Sequence, residues 1–104
     1  MMNIEVKPAA AAELKKVEYK ENEGVRIESV FIGSCSIASE YHLKIDRKKE
    51  GDDLFVVEDI PLLVSKESQE NLHKQISLDF NPAMGYKLTS AEETYRYNLK
   101  LERA

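Results

Sequence analysis

The sequence predicts a mostly β domain of the α+β type, in which seven to eight short strands form a sandwich or pseudo-barrel with two helices packed on it. Three observations point there. Period-2 alternation recurs in short runs along most of the chain; clusters of Gly, Asn and Asp divide those runs; and helix signals gather in only two places, near residues 8–19 and 66–74. With 104 residues, 42% of them hydrophobic and 33% charged, the length suits one domain over residues 1–104 with a core able to support itself without disulfides.

The elements follow in order. Ile4 and Val6 alternate with polar neighbours, which predicts a short strand over residues 3–7. Pro8 then presets φ for the first turn of a helix over residues 8–19, with Ala10, Ala11, Leu14 and Val17 along one stripe. Residues 21–24 read as a turn and residues 25–32 as a strand rich in β-branched side chains, with Val25, Ile27, Ser29 and Phe31 on one side. Gly33-Ser34-Cys35-Ser36 is a small-residue loop before a second strand over residues 38–46, in which Tyr41, Leu43 and Ile45 alternate with polar residues. The two strands are expected to pair, with the cysteine at their connection.

Residues 47–53 form a charged turn, followed by strands over 54–57 and 60–64, where Pro61 suits an edge or a strand start. Ser65 is the N-cap of a helix over residues 66–74, with Glu67 in its first turn and Leu72 facing inward. Strands over 76–80 and 86–89 flank the loop Asn81-Pro82-Ala83-Met84-Gly85. The tail reads as one strand, because Tyr95, Tyr97, Leu99 and Leu101 alternate with polar residues.

Charge and patterning narrow the function classes. Lys+Arg 15 against Asp+Glu 19 leaves a net charge of -4, so no overall field draws the chain to phosphate backbones and nucleic acid is not an expected partner. The apolar run at residues 60–64 is far short of the roughly 18 residues that span a bilayer, so no membrane partner is expected. The N-terminus lacks the apolar core of a signal peptide, and a single cysteine suits a reducing compartment, so a cytoplasmic location is expected.

That residue, Cys35, is the chief candidate for chemistry: small neighbours let a thiolate reach a metal or an electrophile, although free cysteines are also commonly inert core residues. His42 and His73 fall at polar positions and read as solvated; a Cys-His nucleophilic pair requires folding to bring an imidazole to the sulfur. Asp52-Asp53 and Glu58-Asp59 read as solvated turns, and Arg47-Lys48-Lys49 as a hairpin tip neutralised by nearby acids. Phe31, Phe80, Tyr86, Tyr95 and Tyr97 read as core or sheet surface, and Gly33 is too isolated to cradle a phosphate.

Three blocks together resemble the HesB/IscA family of A-type iron-sulfur carrier domains. They are Val25-Arg26-Ile27 running to Gly33-Ser34-Cys35-Ser36; residues 60–65 with Ser68 and Leu72; and Leu78-Asp79-Phe80 followed by Gly85-Tyr86-Lys87-Leu88. The resemblance implies a HesB-like sandwich and makes Cys35 the cofactor-binding and metal-binding residue, with iron or an iron-sulfur cluster as the bound group. Iron-sulfur assembly proteins or apo-protein acceptors are the implied partners, a homodimer the implied assembly, and a non-enzymatic carrier the implied role. Two positions depart from the family pattern: Tyr97-Asn98-Leu99 stands where cluster-holding members have Cys-Gly-Cys, and Ile37 replaces a glycine after Cys35-Ser36. One thiolate per chain, two per dimer, falls short of the four ligands of a [2Fe–2S] cluster, so the alternative is a metal-free domain of the same fold serving as an interaction or structural module.

Overall fold

The computed structural model describes residues 2–32 and 38–104, without the side chains of Phe31, Ile32 and Ala38. In chain order the elements are β1 (Asn3–Val6), α1 (Pro8–Leu14), β2 (Glu23–Ile32), β3 (Ala38–Arg47), β4 (Asp52–Val57), β5 (Ile60–Ser65), α2 (Lys66–Asn71), β6 (Gln75–Asn81), β7 (Gly85–Ser90), β8 (Thr94–Leu99) and β9 (Leu101–Arg103). They build two mixed sheets, in the orders β1-β6-β7-β8 and β4-β5-β2-β3-β9. The sheets are open, so the architecture is a sandwich and not a closed barrel.

Alternation in the sequence becomes burial in the sandwich. Ile4 and Val6 of β1, Val25 and Ile27 of β2, Leu62 and Val64 of β5, Ile76 and Leu78 of β6, and Tyr86 and Leu88 of β7 form one core with Ala10, Ala11 and Leu14 of α1. Pro61 lies at the start of β5, before that strand pairs with β2 at Val25↔Leu62, so its missing N–H costs no ladder bond on that side. Gly24 cannot carry a side chain here, because a Cβ would lie 2.8 Å from the Pro61 carbonyl oxygen.

Four expectations are corrected. Helix α1 stops at Leu14 rather than Tyr19: the chain tightens into i→i+3 bonds (Lys16 N–H to Glu13 O, Val17 N–H to Leu14 O), and the Tyr19 hydroxyl donates to the Leu14 carbonyl at 2.8 Å. A side chain beyond the helix thus satisfies a terminal acceptor that another helical turn would have used. Helix α2 ends at Asn71 and not residue 74, because Leu72 adopts an extended backbone (φ -113, ψ 152) that carries the chain towards β6; its Ser65 cap and inward Leu72 are as expected.

The tail is two strands in two sheets, β8 beside β7 and β9 beside β3, which makes nine strands among the described residues instead of seven or eight. Finally, Asp52 is not a solvated turn residue. It is 7% exposed and starts β4, where Arg26 reaches it with two hydrogen bonds of 2.7 Å. Arg26, 5% exposed, also donates to Asp46 (2.9 Å) and to the Arg47 carbonyl (2.9 Å), so a single guanidinium ties β2 to the ends of β3 and β4.

Candidate functional site

Cys35 lies outside the described residues, as do all of residues 33–37, where a loop is expected. Its anchors are described. Strands β2 and β3 stay in register from Glu23↔Arg47 to Ile32↔Ala38, so the segment that carries the thiol is tethered to two paired strand ends. The opposite end of the same hairpin is the Arg26 cluster.

Near the thiol-bearing end, a helix takes over from a strand. The β2–β5 ladder ends at Arg26↔Leu63, which leaves the backbone of Ser29 facing away from β3 without a strand partner. Chain direction then changes at Ser65, whose hydroxyl accepts from Ser68 N–H (3.0 Å) and caps α2. This places the Ser68 hydroxyl against β2, where it accepts from Ser29 N–H (3.0 Å) and donates to Ser29 C=O (3.3 Å). Asn71 Nδ2 donates to the same carbonyl at 3.2 Å. One buried serine therefore does for Ser29 what a neighbouring strand would have done. The Ser29 hydroxyl itself, also buried, has no hydrogen-bond partner among the described residues.

Aromatic rings close this end from the other sheet. Tyr95 of β8 lies 5.3 Å from the Tyr41 ring of β3 and 5.9 Å from the His73 imidazole, and its hydroxyl accepts from His73 N–H at 2.7 Å. Burial pushes the Tyr95 phenol above its ordinary pKa, so it stays neutral at physiological pH. The imidazole of His73 lies lengthwise between two carboxylates, with Nδ1 3.4 Å from Glu92 and Nε2 3.2 Å from Glu93. His42 Nε2 lies 3.2 Å from Glu40 on the half-exposed face of β3. Both histidines are thus engaged with glutamates, in the partly solvated settings their polar positions implied.

Residues 97–99, expected by resemblance at the family's Cys-Gly-Cys position, have their own geometry. Leu88 pairs with Arg96 and Tyr86 with Leu99, so three steps along β8 oppose two along β7 and the extra residue falls at Tyr97–Asn98. Asn98 adopts φ 65, the left-handed region that glycine enters freely and asparagine tolerates best among the other residues. The backbone at the middle position is one a glycine would favour. Its neighbours carry no thiol: Leu99 is in the core at 5% exposure, and Tyr97, 54% exposed, lines a cleft of about 440 Å³ with Phe80, Met84 and Lys87. Gly85 permits this arrangement, since a Cβ there would meet the Leu99 carbonyl oxygen at 2.8 Å.

Among the described residues, no group of three His, Cys, Asp or Glu side chains is arranged to hold a metal ion. Sequence reasoning proposed Cys35, which lies outside the described residues, and missed the two devices at the ends of the β2–β3 pair, the Arg26 cluster and the Ser68 bridge. For the second a signal was present, because Ser65 and Ser68 stand at N-cap and N3 spacing.

Residues 2–103 match the family model for iron-sulphur cluster biosynthesis. No curated protein matches the sequence. Among solved structures, Escherichia coli SufA, described as involved in biosynthesis of iron-sulfur clusters, is similar with a TM-score of 0.71 and 18% identity over 90% of this chain and 85% of that one. A Lactobacillus salivarius protein described in terms of Fe-S biosynthesis gives 0.71 and 15% over 98% of both chains, and one from Lactobacillus acidophilus gives 0.64 and 14% over 98% and 88%. At such identities these structures establish the fold.

Proposed function

The chain belongs to the iron-sulphur cluster biosynthesis family, and we propose that it acts there as a non-enzymatic carrier that holds iron or a cluster briefly at Cys35 and passes it on by thiolate exchange. The observation that carries this reading is the position of the only thiol. It falls in the loop that resembles the family's first ligand loop, on a segment tethered to the paired ends of β2 and β3. In this proposal the cargo is the substrate: the Cys35 thiolate binds one iron, an incoming thiolate of an acceptor displaces it, and the sulfur takes back a proton from solvent.

The scarcity of companions sets the character of the binding. No three-donor group stands elsewhere among the described residues, and Leu99 is committed to the core. One thiolate per chain therefore favours loose, exchangeable cargo, and a homodimer would bring a second. Assembly proteins and apo-proteins that take iron or clusters are the partners of this reading, one domain over residues 1–104 its unit, and a reducing compartment such as the cytoplasm its setting. No described helix is long and apolar enough to cross a membrane.

The exchange of Tyr97 and Leu99 for the family's cysteines favours a second reading, a metal-free interaction module. Anaerobic incubation with ferrous iron and sulfide separates the two. The carrier reading expects thiolate-to-iron absorption that is lost in Cys35→Ser and becomes more resistant to chelator when Tyr97→Cys, Asn98→Gly and Leu99→Cys are combined. A protein that stays colourless and iron-free, as wild type and as the triple variant, leaves the metal-free module.

A further inference from the structure

The geometry points to the free edge of β4 as a docking site for an extended segment of another protein, apolar in its middle and bearing lysine or arginine at its end. Among the described residues, strand β4 pairs with β5 alone, in an unbroken six-residue register from Asp52↔Ser65 to Val57↔Ile60. After Asp52 and Asp53 the strand reads Leu-Phe-Val-Val, a stretch without the charge, proline or bulge by which sheet edges are normally protected. Leu54 and Val56 are 51% and 64% exposed on the same face. Backbone groups and apolar side chains are thus offered together, the combination that strand addition uses.

A cleft beside the edge has room for the added strand's other face. Strand β1, the outer strand of the second sheet, lies against β4, and between them runs a cleft of about 830 Å³ lined by Ile4, Val6, Ala11 and Ala12 on one side and by Val57 and Glu58 on the other. Lys15 is the cation at its margin.

Charge selects the occupant. Glu58 and Asp59, at the β4–β5 turn, are exposed and enter none of the ion pairs among the described residues, whereas Asp52 and Asp53 are held by Arg26 and Lys66. A second copy paired about a two-fold axis at the middle of β4, between Leu54 and Phe55, would set Glu50 against Asp59, and like charges opposed across strands are unfavourable. In that fully overlapped register, a partner strand with a cation beside Glu58 and Asp59 gains where a second copy loses.

The test is fluorescence anisotropy with a labelled heptapeptide of alternating valine and threonine carrying a lysine at each end, compared with the same peptide carrying glutamates. The expected result is saturable binding of the lysine peptide, weaker in high salt, and at least tenfold weaker binding of the glutamate peptide. Val56→Lys and the double variant Glu58→Lys/Asp59→Lys should each weaken the lysine peptide at least tenfold while their unfolding midpoints stay within a few degrees of wild type. Equal affinity for the two peptides, no binding of either, or full binding by Val56→Lys overturns the proposal. So does sedimentation showing a dimer of the protein alone that Val56→Lys dissociates, because the edge then belongs to a second copy.

Discussion

The two ends of the β2–β3 hairpin are held by different chemistry. At the Glu23 end, Arg26 bonds with Asp52, Asp46 and the Arg47 carbonyl, and Arg103 adds an exposed pair with Glu23 at 3.0 Å. At the Ile32 end, the ties are mostly neutral: the buried Ser68 hydroxyl, the exposed Asn71 amide and the half-buried rings of Tyr41 and Tyr95, with the His73 pairs to Glu92 and Glu93 on the partly solvated side. Fixed charge at one end and mostly neutral ties at the other have distinct costs. A buried guanidinium is rigid only while both carboxylates face it, whereas neutral bonds carry no charge that must be matched.

Removing Arg26 should break the comparison most severely. Arg26→Met leaves the Asp52 carboxylate, with its side chain 2% exposed, buried and short of its main partner, and is expected to lower unfolding free energy by about 3–5 kcal/mol in urea melts. A loss below about 1 kcal/mol would mean that the cluster adds nothing to the hairpin.

Acid titration weakens the same end by a smaller step. The Arg26 hydrogen bonds hold Asp52 below the ordinary carboxylate range against the upward pull of burial. Burial also pulls Asp46 up, but the Arg47 N–H, Arg26 and Lys49 together bring it below its ordinary value. Groups depressed in the folded state contribute stability that is complete above the unfolded value, about pH 4, and is lost as pH falls through the folded values. The urea midpoint should therefore be flat from pH 7 to about pH 5 and fall below about pH 4. The difference between wild type and Arg26→Met should narrow over that fall.

At the neutral end the effects are smaller and of two kinds. Ser68→Ala strips the backbone of Ser29 of its hydroxyl partner and should cost about 1–3 kcal/mol. Ser29→Ala removes a buried hydroxyl without a described partner and should change stability by less than about 0.5 kcal/mol, or raise it. Equal losses in the two variants would show that the Ser29 hydroxyl has a partner of its own.

What could be read from the residues alone follows the range of the interactions. Strands, the Pro8 start of α1 and the Ser65 cap rest on local rules and were legible. The Arg26 bonds to Asp52 join residues 26 positions apart, and no local pattern distinguishes an arginine on the outer face of a strand that finds two carboxylates from one that meets water. In the tail, the alternation of Tyr95, Tyr97, Leu99 and Leu101 runs straight across a left-handed residue and a change of sheet, so one strand was expected where there are two. For the site, the resemblance offers Cys35 and residues 97–99 as expectations, while the left-handed backbone of Asn98 leaves no mark in the alternation around it.

The parallel pairing of β1 with β6 governs when the chain can fold during synthesis. Glu5 and Ser77, joined by a hydrogen bond across that pair, are 72 residues apart. At ribosomal speeds of about 5–20 residues per second, the first strand waits roughly 4–14 s for its neighbour to be made. Until then Ile4 and Val6 have no sheet to join, so this part of the nascent chain depends on late-emerging residues to sequester it.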